Sequence, residues 1–305
     1  MILYPKPFSL QLFANSDIKK FFHKLLPSVV GANVLQINLL VDSVFASMIT
    51  GAISYLYYAD RINQLPLAMI GIAIGIALLP AMSRKIKSNE MEGAIRLQNL
   101  ALEVGLIMVI PATLALTCLA YPIIAALFER GKFTHEESFF VARALQFYSY
   151  GLPAYVLVKV MEPAFFSRGD TRTPMKIAII CLFSNAILNV VFFFYGFEYV
   201  GIILSSIISS YVNLTLLITR LLRKKHFYFE KDFVSKLFKI ILPAILMAVV
   251  LLIMKDFFAT NEAMNRVLEL IAMIVAGLFT YFSVAYFSGS LNILLASGLF
   301  KKKKT

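Results

Sequence analysis

Four polar side chains stand in apolar stretches of the sequence at spacings that would suit a small cation or a proton. Asp42 interrupts an apolar run, and Asn185 and Asn189 are four residues apart, so both amides project from one stripe of a helix. At about 1.5 Å per residue, Asp42, Asn189 and Ser205 each fall ~9 Å from the same end of their predicted helices. A carboxylate, two amides and a hydroxyl at one depth form an oxygen-rich set that would suit Na⁺, or a proton on Asp42.

Hydrogen bonding between helices is the alternative role for the same side chains. Amides commonly bridge helices inside a membrane and hold a bundle together without binding a ligand. Gly201, Ser205 and Ser209 repeat at every fourth position, a spacing of small residues that lets helices approach closely. For Ser205 considered alone, packing is the favoured interpretation. The ion site rests mainly on Asp42, because an unpaired carboxylate in lipid is costly.

A second group of residues with chemical potential precedes the apolar run from Leu67 to Leu79. Arg61 follows Asp60 there and lies a turn and a half inside a helix that begins near residue 55. At that depth an arginine would face a polar cavity, where its guanidinium would form a fork for phosphate or pyrophosphate. The alternative is that Arg61 extends to the membrane interface. Arg61 and Asp60 are the candidate substrate-binding residues.

The composition of the chain indicates an integral membrane protein. Its 305 residues have a mean hydropathy of +0.80, with 60% hydrophobic and only 15% charged residues. Soluble domains are nearer half apolar and a quarter charged, so a soluble enzyme is excluded first. Cys118 and Cys181 both lie in apolar runs, which gives no basis for a disulfide framework or a cysteine metal site. No motif typical of a nucleophile, a phosphate loop or a metal site occurs.

Apolar runs long enough to span a bilayer position these residues. They predict an all-α polytopic protein with eight transmembrane helices, at residues 25–48, 55–82, 100–120, 142–165, 175–195, 199–220, 237–255 and 267–288. Lys159 and Glu162, three residues apart in the fourth of these helices, are expected to pair on one helix face in a structural role.

The distribution of positive charge predicts the orientation of the chain. With an even number of spans both termini share a side, and 22 lysines and arginines fall on that side against 6 on the other. This asymmetry over short loops predicts that both termini are cytoplasmic. The net charge of +12 is therefore explained by topology and indicates no nucleic acid partner. Residues 1–24 lack the pattern of a signal peptide and are predicted to be a cytoplasmic segment.

Three stretches of the sequence carry a resemblance to a known family. They are Tyr57–Arg61 (Tyr-Tyr-Ala-Asp-Arg), Glu129–Thr134 (Glu-Arg-Gly-Lys-Phe-Thr) and the longer Tyr150–Pro174, which begins Tyr-Gly-Leu-Pro-Ala-Tyr. These stretches resemble the MviN/MurJ lipid II flippases of bacterial cell-wall synthesis. With the matching order of spans and loops, the resemblance covers nearly the whole chain from about residue 20 onward.

The resemblance implies the fold of the multidrug/oligosaccharidyl-lipid/polysaccharide exporter superfamily, in which two six-helix lobes face each other across a cavity. Family members have fourteen spans, and this chain matches the last eight. It would hold the second lobe and two additional C-terminal helices, which in the family form a groove for the polyprenyl tail. The expected segments are a cytoplasmic N-terminal segment at 1–24, a six-helix transporter lobe at 25–220, a basic cytoplasmic loop at 221–236, two additional helices at 237–288, and a basic cytoplasmic tail at 289–305.

The function that the resemblance implies is transport of lipid II, the undecaprenyl-pyrophosphate-linked peptidoglycan precursor, from the inner to the outer leaflet of the bacterial inner membrane. Arg61 matches an important cavity arginine of the family, and Asp42, Asn185, Asn189 and Ser205 fall where a sodium site is seen in family members. No covalent chemistry and no cofactor are expected beyond Na⁺ or H⁺ coupling. The family's other cavity arginines belong to the first lobe.

One lobe cannot alternate access alone, so the expected partners are lipid II, membrane lipids and a first-lobe polypeptide. The chain would otherwise be a fragment or the product of a decayed gene. Two other functions stay open. The chain is either part of another exporter of the superfamily, for a different lipid-linked oligosaccharide or a drug, or a membrane scaffold that transports nothing.

Overall fold

The computed structural model describes residues 37–258 and 266–290, and these residues are helical apart from short connections. In chain order the elements are α1 (Ile37–Ser47), α2 (Ala52–Pro66), a π-helical segment (Leu67–Ile72), α3 (Ala73–Lys87), α4 (Met91–Phe128), α5 (His135–Phe166), α6 (Arg172–Phe194), α7 (Glu198–Arg223), α8 (Phe233–Phe258) and α9 (Arg266–Ser288).

Among the described residues, six helices are long and apolar enough to cross a membrane. The first combines α2, the π-helical segment and α3 into one continuous helix of 36 residues, Ala52–Lys87. The others are α4, α6, α7, α8 and α9, of 22 to 38 residues. At about 1.5 Å per residue each exceeds the ~30 Å of the hydrocarbon core. The prediction of an all-helical, multi-pass membrane protein is confirmed.

Two of the eight predicted spans are not among these six helices. For the span at 25–48, residues 25–36 lie outside the described part of the chain, and the remainder forms the shorter helix α1. The span at 142–165 lies in α5, which has 32 residues but also carries Gln146, Lys159 and Glu162. Because α5 packs against α2, α3, α4 and α7, it needs fewer apolar side chains facing lipid than a peripheral helix does.

The centre of the molecule is the pair α4 and α5, which buries many of its small and aliphatic side chains. α5 begins with a capping box: the side chain of Thr134 accepts from the Glu137 amide, and the Glu137 carboxylate accepts from the Thr134 amide. Val160, Met161 and Phe165 on α5 pack with Leu102 and Leu106 of α4 in one apolar cluster. This pair is the frame on which the peripheral helices are arranged.

Two glycines allow the long helix Ala52–Lys87 to approach the backbone of α5. A Cβ atom added at Gly75 would lie 2.9 Å from the carbonyl oxygen of Lys159, and one at Gly71 would lie 3.1 Å from the Cα of Val156. Side chains at these positions would therefore separate the helices. The π-helical segment Leu67–Ile72 follows Pro66 directly and was not predicted from the sequence. Proline lacks the backbone N–H that would donate a hydrogen bond in an uninterrupted α-helix.

The last two helices are fastened to the central pair along their length. The Tyr281 hydroxyl on α9 donates to the carbonyl of Ile107 over 2.6 Å, in the middle of α4. At one end Lys236 of α8 pairs with the buried Glu103 over 2.8 Å, and at the other Arg266 of α9 pairs with Glu129 over 2.7 Å. α8 and α9 therefore follow α4 closely.

The connection between α7 and α8, residues 224–232, is held against neighbouring elements. Lys224 pairs with Asp170 over 2.8 Å, and Arg168 donates to the carbonyl of His226. Asn99 of α4 donates to the carbonyl of Tyr228 over 2.9 Å, and the side chain of Phe227 is fully buried. Because its carbonyls accept from two other elements, this basic loop is a packed part of the structure.

Candidate functional site

Four polar side chains from three helices form a closed ring of hydrogen bonds. The Asn189 amide donates to Asp42 Oδ1 over 2.7 Å and to Asn185 Oδ1 over 3.0 Å. Asn185 in turn donates to Ser206 Oγ over 3.1 Å, and Ser206 donates to Asp42 Oδ2 over 3.0 Å. We call Asp42, Asn185, Asn189 and Ser206 the polar ring. It joins α1, α6 and α7 between apolar surfaces.

The structure brings together three of the four residues that the sequence predicted for the ion site and replaces the fourth. Asp42, Asn185 and Asn189 are in contact, whereas the hydroxyl of Ser205 donates to the carbonyl of Gly201 over 2.9 Å on its own helix. Ser206 stands where Ser205 was expected. Ser205 does not join this contact because depth along a helix does not give direction, and adjacent residues point about 100° apart.

The polar ring has features that fit a small cation. Asp42 contributes a carboxylate, and no ion pair to it occurs within residues 37–258 and 266–290. Asn189 Oδ1 is buried and has no hydrogen-bond partner, which leaves an acceptor free for a ligand. Carboxylate, amide and hydroxyl oxygens are ligands that hard cations prefer. The same donor set can hold a proton on Asp42 instead.

The amide of Asn185 has two usable orientations. In the reversed orientation its Nδ2 lies 3.0 Å from Asn38 Oδ1 and 3.1 Å from Asp42 Oδ1, while its Oδ1 lies 3.1 Å from Ser206 Oγ. Its Nδ2 then also faces the Asn189 nitrogen over 3.0 Å, so the hydrogen bond from Asn189 to Asn185 is absent in this orientation. Asn38 is one turn from Asp42 on α1 and joins the ring only in this orientation. A ring whose donors and acceptors can exchange in this way can turn an oxygen toward a bound cation.

Arg61 lies on an exposed face of α2 and does not take part in the polar ring. Because α2 begins at Ala52, Arg61 is about 13 Å along its helix, deeper than the sequence suggested. Its guanidinium lies over the Tyr57 ring, 4.8 Å from the centroid. The adjacent Asp60 accepts from Gln64, one turn further along. Arg61 and Asp60 are thus both held by neighbours on α2; Arg61 is directed to an open face, whereas Asp60 is partly buried.

The pairing of Lys159 with Glu162 is confirmed. The Lys159 ammonium lies 3.1 Å from a Glu162 oxygen, three residues further along α5. Sequence reasoning missed Ser206, although it follows Ser205 directly. Which of the two serines faces Asn185 and Asn189 depends on how α7 is rotated relative to α6. The sequence does not contain that rotation. Sequence reasoning also missed the contact between α8 and α4, because Glu103 and Lys236 are separated by 133 residues.

Comparisons with known proteins agree with the helical architecture. The family model described as lipid II flippase MurJ matches residues 6–273. A probable lipid II flippase MurJ from Rickettsia prowazekii is 33% identical over 274 residues, which cover 88% of this chain and 54% of that protein. The chain spans about half the length of the curated relatives it matches.

Solved structures give the same result. The chain is similar to lipid II flippase MurJ in an inward closed conformation, with a TM-score of 0.73, 25% identity, and coverage of 90% of this chain and 55% of that one. It also resembles the fold of a MATE crystal structure in the bent conformation, with a TM-score of 0.61, 16% identity, and coverage of 95% of this chain and 70% of that one. With a family model that matches most of its length, the chain belongs to the MurJ family of lipid II flippases.

Proposed function

We propose that this chain is the second lobe of a lipid II flippase, with two additional helices, and that it works together with a first lobe. The observation that carries this proposal is the family match over residues 6–273. The chain would correspond to the last eight of fourteen spans, with α1 and α5 as the two spans beyond the six apolar helices. Such a protein is a transporter, not an enzyme, because moving a lipid between leaflets makes and breaks no covalent bond.

In this proposal the chain lies in the bacterial inner membrane with both termini in the cytoplasm. The support is the excess of lysine and arginine on one side of the helices, which includes the loop 224–232 and the connection between α3 and α4. The exposed face that carries Arg61, with the partly buried Asp60 next to it, would then form one wall of a cavity that the first-lobe polypeptide closes. Two lobes are needed because alternating access moves one against the other.

Arg61 would bind the pyrophosphate of the undecaprenyl-linked precursor. A guanidinium presents a planar fork of donors to phosphate oxygens, and Tyr57 would hold that fork in place by its ring contact. Asp60 would position the site through its bond from Gln64. Lipid II is therefore the substrate that we assign to this face, and no nucleic acid partner is expected.

The test is to measure lipid II flipping by the Arg61→Ala variant in cells that depend on this chain and its first lobe. Appearance of lipid II in the outer leaflet should fall at least tenfold, since a charge-assisted contact to phosphate is worth more than ~1.4 kcal/mol. Arg61→Lys should retain part of the activity, and Lys132→Ala, an exposed cation outside the face, should retain all of it. Flipping by Arg61→Ala at the level of the parent chain would contradict the proposal.

The polar ring would bind Na⁺, or a proton on Asp42, and couple that event to the return step. Purified chain should gain thermal stability when sodium replaces potassium at equal ionic strength, because ligand binding favours the folded state. Asp42→Asn should lose this gain while keeping the shape of the ring. A sodium effect that survives Asp42→Asn would contradict sodium binding at the ring. A proton-coupled site would instead show no sodium effect and a pH-dependent flipping rate.

A further inference from the structure

A cavity of about 260 Å³ lies at the end of the bundle where α4 ends and α5 begins, far in sequence from Arg61 and Asp42. Residues of four helices line it. Its polar lining is Tyr121, His135, Lys255, Arg266 and Glu269, and its apolar lining is Pro122, Ala125, Phe258 and Met273. The cavity is smaller than the ~300–1,000 Å³ pockets that hold drug-sized molecules, which suits a headgroup better than a whole lipid.

Positive charge in this cavity is only partly compensated. Arg266 donates to Glu129 through one guanidinium nitrogen, over 2.7 Å. Lys255 lines the cavity from α8, and no carboxylate of the described residues forms an ion pair with it. Within the described part of the chain, this half-buried ammonium, with part of its surroundings apolar, has no ion-pair partner.

The neighbouring acid Glu129 is occupied by protein groups. It accepts from Arg266, from the Tyr121 hydroxyl over 3.1 Å, and from His135 over 3.4 Å. Burial opposes ionisation of Glu129, but the hydrogen bonds from Arg266, Ser138 and Tyr121, together with the positive charge of Arg266, outweigh it and lower the pKa of that carboxyl. Glu129 therefore stays charged and fixes Arg266. Glu269, one turn from Arg266, interacts electrostatically with Arg266 but forms no ion pair or side-chain hydrogen bond among the described residues.

Next to the cavity, α8 and α9 present apolar side chains to their surroundings. Ile253, Phe257, Val267 and Leu268 are all exposed, and they alternate along the chain with the lining residues. Acyl chains would pack on such a surface in a membrane. A ligand with a charged head and apolar tails can thus place its head in the cavity and its tails along α8 and α9.

We propose that this cavity binds the headgroup of a membrane phospholipid that carries both a phosphodiester and an ammonium group. Lys255 and the free side of Arg266 hold the phosphate, and Glu269 accepts from the ammonium. The mixed charge of the lining selects this headgroup over a purely anionic one. The site is separate from the face that carries Arg61, and its occupancy does not require lipid II.

The experiment is titration of the purified full chain, in detergent, with phosphatidylethanolamine or phosphatidylglycerol, with bound lipid counted by native mass spectrometry. We expect phosphatidylethanolamine to bind more tightly. Lys255→Gln should weaken it about tenfold, as expected for loss of a hydrogen bond to a charged group. Lys132→Gln, an exposed cation at the same end that does not line the cavity, should bind like the parent chain.

A second variant tests the carboxylate without disturbing the Glu129–Arg266 pair. Glu269→Gln should remove the preference for phosphatidylethanolamine over phosphatidylglycerol. Equal binding by Lys255→Gln and the parent chain would overturn the site, and equal binding of both lipids to the parent chain would overturn the role of Glu269. If inorganic phosphate at the same concentration displaces the lipid, the cavity is a free-anion site and the lipid assignment is wrong.

Discussion

The central pair α4–α5 and the polar ring both bury polar side chains, but they satisfy them with different partners. In the pair, Gln98 donates to the carbonyl of Val160 over 2.8 Å and Asn99 donates to the carbonyl of Tyr228 over 2.9 Å. In the ring, side chains bond to side chains. Backbone carbonyls are fixed by the helices, whereas amides and hydroxyls rotate. The pair therefore holds helices in place, and the ring can rearrange around a ligand.

Unpaired amide oxygens do not by themselves distinguish the two regions. Gln98 Oε1 and Asn99 Oδ1 lack partners in the same way as Asn189 Oδ1. The difference is the carboxylate of Asp42, which forms no ion pair among the described residues, whereas Glu103, four residues after Asn99, is paired with Lys236 over 2.8 Å. A buried acceptor therefore indicates a cation only where an unpaired charge accompanies it.

The largest expected effect comes from removing a core side chain of the central pair. Phe165 is 1% exposed, so Phe165→Ala should cost about 3–5 kcal/mol of unfolding free energy. Phe183→Ala, at a side chain that is 64% exposed on α6, should change little. Denaturant titration in detergent measures both. Similar losses for the two variants would remove the distinction between a packed centre and a peripheral face.

Ser206 and Ser205 provide the next test, because they are adjacent and only Ser206 bonds to Asp42. Ser206→Ala removes a hydrogen bond to a charged group and should cost about 1.5–3 kcal/mol, together with most of the sodium effect. Ser205→Ala should leave the sodium effect intact, since its hydroxyl bonds its own helix. Thermal melts with sodium and with potassium measure both variants, and loss of the sodium effect in Ser205→Ala alone would contradict the ring.

Two glycines that face α5 sharpen the description of the central packing. Gly75→Ala places a Cβ atom 2.9 Å from a backbone oxygen and should destabilise by about 1–3 kcal/mol. Gly105→Ala places its Cβ 3.5 Å from a Val160 methyl group, an ordinary contact, so it should be neutral or stabilising because alanine favours helix. If both substitutions shifted the melting temperature in the same direction, this would be evidence against the close approach of Gly75 to α5.

The smallest expected effect concerns the contact between Asp170 and Lys224 at the end of the central pair. Burial opposes ionisation of Asp170, but bonds from Lys224 and Thr173 outweigh it and lower the pKa of Asp170. Stabilisation by a lowered pKa is present above the unfolded value of ~3.9 and is lost as pH falls through the folded value.

Asp170→Asn should therefore cost under ~1 kcal/mol at neutral pH and flatten the stability profile below pH ~4, because the pair is partly exposed. Asp256→Asn, at an exposed position on α8, serves as the control and should keep the acid slope of the parent chain. The free energy of unfolding of the two variants, measured across pH, tests whether the Asp170–Lys224 pair contributes to stability. An unchanged acid slope in Asp170→Asn would show that the pair contributes nothing.

How much the sequence could predict depended on whether the information was local. The apolar runs gave most spans, and the pairing of Lys159 with Glu162 followed from helical spacing alone. The depth of Asp42 and Asn189 was predicted because rise per residue is constant. The choice between Ser205 and Ser206 could not be made, because it depends on how α7 is rotated against α6. The apolar run at 142–165 also predicted a span, although α5 is less apolar than the six other long helices because it packs among them.

The π-helical segment has a consequence for which way one long helix faces. Arg61 and Gly75 are 14 residues apart, and in an uninterrupted α-helix they would lie only about 40° apart around the axis. One additional residue within Leu67–Ile72 changes this offset to about 140°, so the two halves present nearly opposite sides. A single helix can thereby pack Gly75 against α5 while Arg61 points to nearly the opposite side. Deleting one residue in that segment would undo this and turn the guanidinium toward the protein interior.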